Sequence, residues 1–164
     1  MSNETSTKKC SVALHDENTL LAEATLHVDK SQSEKLAVLI KDLLRYAEVS
    51  TKELKAIAVA SGPGSYTGLR IGVSTAKGLC YALNIPLIAV NTLEAMAYGL
   101  SKTLTEEALI CPMLDARRME VYCLLADNNM DVVAPTQAKI IDAQSFEKEL
   151  SEHKIVFFGN GASK

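Results

Sequence analysis

Residues 59–72 read Val-Ala-Ser-Gly-Pro-Gly-Ser-Tyr-Thr-Gly-Leu-Arg-Ile-Gly, a glycine-rich joint from an apolar strand into a helix, and a joint of this composition can hold a phosphate. Gly62 and Gly64 can take backbone angles closed to other residues, Pro63 fixes its own φ, and Thr67 is placed to cap a helix that opens at Gly68. A helix N-terminus with free N–H groups attracts anions. The spacings match neither established phosphate loop, however. A Walker A loop continues from its second glycine into Lys-Ser/Thr, and here Gly68 is followed by Leu69 and Arg70. A dinucleotide fingerprint would have its third glycine at Thr67 and an acidic residue where the chain reads Ile85-Pro86-Leu87-Ile88. The other reading, a tight joint whose glycines let strand and helix pack closely, carries more weight on loop chemistry alone.

Metal and nucleophile chemistry find little support elsewhere. His15, His27 and His153 are isolated, with no pair at helical spacing, and each reads as exposed or locally hydrogen-bonded. Cys10, Cys80, Cys111 and Cys123 contain no Cys-x-x-Cys pair and fall mostly within apolar periodic segments, so they read as reduced, buried thiols. Arg117 and Arg118 lie between two apolar runs. They could contact a nucleotide or RNA, or form a solvated hairpin tip, the second being favoured on sequence alone. Asp115 is placed to fix that turn.

Composition bounds the classes. The 164 residues are 48% apolar with a net charge of −3, enough chain for one domain with a real core, or for one lobe and part of a second. Lysines and arginines are scattered rather than massed, so unaided nucleic-acid binding has no electrostatic footprint. The opening Met-Ser-Asn-Glu-Thr-Ser-Thr carries no apolar signal region and the apolar runs fall short of a membrane span, which leads to the expectation of a cytoplasmic protein.

The elements that must position these residues follow from periodicity. Residues 10–16 and 19–28 suit an antiparallel hairpin around Asp16-Glu17-Asn18. A helix from Ser33 repeats Leu36, Leu39, Ile40, Leu43, Leu44 and Ala47 at helical spacing, with Val38 and Tyr46 widening the stripe. Residues 54–60 form a strand buried on both sides. In the helix over 68–83, the small residues Gly68, Gly72, Ala76 and Cys80 recur four apart as a smooth ridge, opposite bulky Leu69, Ile71, Val73, Leu79 and Leu83. Two helices apolar nearly all round lie either inside the domain or against another protein. Residues 86–90 form another buried strand, and Thr92 is placed to cap a helix through Leu100. Three extended segments then cover 109–114, 119–126 and 131–141, followed by a helix over 142–150, a strand over 155–158 and the turn Gly159-Asn160-Gly161-Ala162. The layout is a duplicated α/β arrangement of two lobes, each a mixed sheet covered by helices: residues 1–106, and residues 107–164 as the start of a second lobe.

Four segments, Glu4-Thr5-Ser6-Thr7 with the strand after it, the 61–72 joint, Asp115-Ala116-Arg117-Arg118-Met119-Glu120-Val121-Tyr122 and Gly159-Asn160-Gly161-Ala162, occur in the order found in bacterial TsaB, which this chain resembles over nearly its whole length. TsaB proteins are the dimerisation subunits of the machinery that makes threonylcarbamoyladenosine in tRNA, grouped with glycoprotease-like proteins. The resemblance implies an actin-like, Hsp70-like (ribonuclease H-like) ATPase fold and a subunit without transferase activity of its own. Such a subunit supports a catalytic paralogue, TsaD, works with the ATPase TsaE, forms a homodimer when alone and meets tRNA only through the complex. It implies no metal site and no nucleotide held by this chain alone, with ATP or ADP at the complex interface. It also implies that the two apolar helices build the partner and dimer interface, through Leu36, Leu39, Ile40, Leu43, Arg70, Gly72, Val73, Ala76, Lys77 and Cys80. Gly62, Pro63, Gly64, Thr67 and Gly68 then form a structural turn, while Glu4, Thr5, Arg117 and Arg118 are the candidate cleft contacts.

The family pattern begins with an apolar strand where this chain has Met1-Ser2-Asn3, runs on past the Gly-Asn-Gly-Ala turn, and usually has histidine at Gln32. An abbreviated central strand and an incomplete second lobe are therefore expected. The competing reading is an enzyme of the same fold, either an ATP-dependent small-molecule kinase or a metallopeptidase. A stand-alone RNA-binding module is weaker still.

Overall fold

Alternation of apolar and polar residues makes β2 (Lys9–Asp16) bury Cys10, Val12 and Leu14 on one face. The computed structural model describes residues 1–27 and 32–164, divided into the units Met1–Val90 and Asn91–Lys164. Val28, the expected end of the second strand, lies outside the described residues.

The first unit is a five-stranded sheet in the order β3-β2-β1-β4-β5, comprising β1 (Ser2–Glu4), β2, β3 (Thr19–His27), β4 (Ile57–Gly62) and β5 (Leu87–Asn91). β1 is antiparallel to β2 and parallel to β4, so a three-residue strand occupies the middle of the sheet. The hairpin β2–β3 forms as expected, with Leu14 opposite Ala22 and Glu17 in a left-handed turn at φ 48°. α1 (Gln32–Tyr46) lies on β2 and β3 and buries Leu36, Ile40, Leu43 and Leu44 at intervals of one helical turn. α2 (Tyr66–Leu83) lies on β4 and β1 and buries Gly68, Gly72, Ala76 and Cys80, the last two against Ile57 and Val59.

The second unit repeats this plan. β6 (Leu109–Asp115), β7 (Glu120–Ala126), β8 (Val132–Ile140) and β9 (Ile155–Phe158) are arranged in the order β8-β7-β6-β9. β6 is antiparallel to β7 and parallel to β9, as β1 is to β2 and β4. Both faces of this sheet are covered, which is why β6 and β7 read as continuous apolar runs. α3 (Thr92–Ser101) places Leu93 and Ala97 on Ile110, Leu114 and Leu124, and Phe146 packs with Cys111, Cys123 and Leu125 on the other side.

Several sequence expectations move. The cap of α2 is Ser65, whose hydroxyl accepts the Gly68 N–H at 3.3 Å, rather than Thr67, and the helix opens at Tyr66. Asn91 caps α3 by accepting the Leu93 and Glu94 N–H groups, rather than Thr92. β4 starts three residues late, at Ile57, after a 3₁₀ turn over Thr51–Glu53 that is capped by Leu54. β5 is an edge strand with Ile88 half exposed, not a strand buried on both sides. Asp142 starts a turn through its bond from Gln144, so α4 (Glu147–Glu152) begins later than expected. The division falls between Val90 and Asn91 rather than after residue 106, because α3 packs on β6 and β7.

Glycine is required where α2 crosses β1. A Cβ at Gly72 would overlap the Thr5 hydroxyl and lie 3.0 Å from Asn3 Oδ1, whereas one at Gly78 meets nothing within 4 Å. Gly72→Ala is expected to destabilise the chain by about 1–3 kcal/mol, and Gly78→Ala to stabilise it by about 0.5–1 kcal/mol. Denaturant unfolding of the two variants checks the contrast, and equal shifts would contradict it.

Candidate functional site

The glycine joint is assembled from β4, the turn at 62–65 and the first turn of α2. Gly62 and Gly64 hold φ values of 111° and 155°, and the Gly62–Pro63 peptide is cis. A Cβ at Gly64 would lie 2.6 Å from the Ser6 carbonyl oxygen, so only glycine lets the joint rest on the β1–β2 turn. The Ser65 N–H donates to Ser6 O at 2.6 Å, and the Gly68 N–H donates to the Ser65 hydroxyl. The Ser65 and Gly68 amides of the joint are thereby bonded within the chain, which favours the packing role for this turn.

The β1–β2 turn is bound into the same joint. Thr5 is 1% exposed and its hydroxyl donates to Gly68 O at 2.8 Å. It therefore clamps β1 to α2 and cannot contact a ligand, contrary to its reading as a cleft residue. Glu4 accepts the Ser6 N–H through its carboxylate. Below α2 lie the buried Asn3 carboxamide and the Ser6 hydroxyl, both without hydrogen-bond partners among the described residues.

The predicted interface residues divide sharply. Leu36, Ile40, Leu43, Gly72, Ala76 and Cys80 are buried beneath their own helices, contrary to their reading as interface residues, and the small ridge seats α2 on its own sheet. Leu39 and Val73 are partly buried, while Arg70 and Lys77 are exposed. Facing away from the ridge, Tyr66, Arg70, Ser74, Lys77 and Tyr81 recur every three or four residues along one exposed face of α2. Tyr81 is 91% exposed and Tyr66 74%, with the Arg70 guanidinium 5.6 Å from the Tyr66 ring centre. On α1, Val38 and Tyr46 are exposed, and Arg45 lies 4.8 Å over the Tyr46 ring. Sequence reasoning missed Tyr66 and Tyr81. Their place opposite the small ridge was the available signal.

In the second unit, Arg117 and Arg118 occupy the β6–β7 turn at φ 72° and 46°. Left-handed backbone costs roughly 1–2 kcal/mol per non-glycine residue. The turn is held from behind: Asn160 Oδ1 accepts the Asp115 N–H at 3.0 Å, Lys164 donates to Glu120 O at 2.8 Å, and Lys164 also bonds the Asp115 carboxylate. Lys164 is the larger cause, and the Arg117 N–H the next, of an Asp115 carboxyl held below the ordinary aspartate range. Both arginines are exposed, as at a hairpin tip.

The four cysteines are free and buried. Cys111 shares a hydrogen bond with Cys123, which together with burial pushes its thiol well above the ordinary range. His15, His27 and His153 are exposed, and among the described residues no three His, Cys, Asp or Glu side chains converge as metal ligands. An open cavity of about 640 Å³ in the second unit is lined by Glu107, Asp127, Asn128, Glu152, His153 and Lys154.

Paired mixed sheets of matching strand order, each carrying helices, define the actin-like, Hsp70-like class of α/β folds. Two solved structures share the arrangement. YeaZ from Pseudomonas aeruginosa is 28% identical with a TM-score of 0.75, over 87% of this chain and 67% of that one. A second Pseudomonas aeruginosa protein, described as similar to peptidase YeaZ, is 25% identical with a TM-score of 0.78, over 96% of this chain and 82% of that one. Residues 20–151 match the family model described as TsaD, tRNA N6-adenosine threonylcarbamoyltransferase. The tRNA threonylcarbamoyladenosine biosynthesis protein TsaB of Bacillus subtilis is 35% identical, over 98% of this chain and 70% of its own length. The Escherichia coli TsaB is 34% identical over 73% of this chain, which spans about half (51%) of that relative. The chain belongs to the TsaB family.

Because the Asp115 pKa is lowered on folding, its contribution to stability is present above the ordinary value of 3.8 and is lost as pH falls through the lowered one. In an NMR titration Asp115 should titrate below 3.8, and Lys164→Met should move it upward. An unchanged titration in that variant would contradict the assignment.

Proposed function

We propose that the chain is a non-catalytic scaffold in tRNA threonylcarbamoyladenosine biosynthesis, supporting a TsaD-type catalytic subunit alongside a TsaE-type ATPase and pairing with a second copy of itself when alone. The carrying observation is the exposed outer face of α2, where Tyr66 and Tyr81 bracket Arg70 and Lys77. Tyrosine and arginine, with tryptophan, are the residues enriched among those that dominate binding energy at protein interfaces. Exposed Val38 and Tyr46 give the neighbouring helix α1 apolar surface on its solvent side. Family membership supplies the pathway, and the B. subtilis and E. coli relatives carry it in their names.

On this reading the chain holds no nucleotide by itself, and ATP or ADP enters at the interface with the catalytic subunit. The commitment of Glu4, Thr5, Ser65 and Gly68 to internal bonds supports that assignment. Free, buried thiols suit a reducing compartment, in keeping with a cytoplasmic site of action. No helix among the described residues is long and apolar enough to cross a membrane.

Charge reversal on the outer face separates association from folding. Lys77→Glu combined with Tyr81→Asp should weaken self-association and binding to the catalytic subunit by about 2 kcal/mol or more, roughly thirtyfold, with unfolding stability changed by about 0.5 kcal/mol or less. Ala76→Arg should instead unfold the chain, since Ala76 is fully buried. Light scattering and thermal melts check both, and an unaltered molar mass for the Lys77/Tyr81 variant would exclude this face as the interface.

A further inference from the structure

The Arg117–Arg118 turn combines three features that a merely connecting turn does not need. Its backbone is left-handed at both arginines, where asparagine or glycine would sit with less strain. It is braced by bonds from Asn160 and Lys164 and by the Gly161 N–H to Met113 O at 3.0 Å, so the arginines project from a fixed base. Neither arginine forms an ion pair among the described residues. The carboxylate of the same turn, Asp115, accepts from Lys164 and from the Arg117 N–H, and so is engaged by groups other than the guanidinium heads.

Two exposed guanidinium groups on a braced turn, neither held in an ion pair among the described residues, suit a bidentate oxyanion ligand. We propose that Arg117 and Arg118 form a clamp on the phosphodiester backbone of the tRNA substrate, an inference that rests on the scaffold reading above. Phosphate is favoured over acidic protein because the assembly's substrate presents phosphates in series, and because the planar fork of arginine matches a phosphate's paired oxygens. With a net charge of −3, the chain as a whole repels a polyanion. The clamp therefore acts as a local contact, while other subunits hold most of the RNA.

The test uses the full chain assembled with its TsaD-type catalytic subunit, and an unmodified tRNA transcript as probe. Asparagine tolerates left-handed backbone, so the double variant Arg117→Asn, Arg118→Asn should keep the fold and the assembly. It should bind the transcript roughly ten- to a hundredfold more weakly, and the slope of log affinity against log salt should shrink by about 1.4–1.8, the share of two phosphates. Unchanged transcript affinity in an intact assembly overturns the clamp while leaving the scaffold reading standing. Loss of polyglutamate binding with transcript affinity unchanged also overturns it, and assigns the turn to an acidic protein. Failure of the wild-type chain to assemble with the catalytic subunit overturns the scaffold reading, and the clamp with it.

Discussion

Where α2 crosses the centre of the first sheet, position 72 has room for a hydrogen and nothing larger, and this close approach governs the rest of the unit. Thr5 reaches from the end of β1 to the Gly68 carbonyl across that contact, and Gly64 rests on Ser6 from the other side. The glycine joint, the β1–β2 turn and the first turn of α2 are consequently one packed object. A three-residue central strand gains from this, because β1 has little side-chain area of its own to bury and is held by neighbours on both edges and by the helix above.

Seating α2 through its small residues also decides what the helix offers to the outside. A helix held by a smooth ridge keeps its larger side chains for its flanks and its far side. Leu69, Val73 and Leu79 fill the flanks, half buried, and the tyrosines and cations occupy the exposed face. An interface made of aromatic and cationic groups rather than aliphatic ones stays soluble when unpaired and can exchange one partner for another. That suits a subunit proposed to pair with itself and with a catalytic paralogue.

Much of this was legible in the chain. The alternation of Cys10, Val12 and Leu14, the heptad-like repeat of Leu36, Ile40 and Leu43, and the division into two mixed sheets covered by helices were readable from periodicity and element order, because burial on a known face imposes a known spacing; the order of strands within each sheet was not. The direction of the α2 ridge did not follow. Small residues at four-residue spacing are equally suited to a neighbouring sheet and to a neighbouring subunit, and only the position of β1 distinguishes the two. Thr67 and Thr92 were plausible caps displaced by Ser65 and Asn91, since capping depends on where the first helical turn starts, which sequence locates only to within a residue or two. Nor could spacing reveal that Thr5 points into the packing rather than toward solvent, or that Arg117 and Arg118 sit in left-handed backbone.

The central claim is that α2 turns its small ridge inward and its tyrosine face outward to a partner. Hydroxyl-radical footprinting of neighbouring residues Cys80 and Tyr81, in the free chain and in the assembly with the catalytic subunit, tests it directly. Cys80 should stay unlabelled in both states, and Tyr81 should be labelled when free and protected when assembled. Labelling of Cys80 in the free chain, or equal labelling of Tyr81 in both states, would contradict the account.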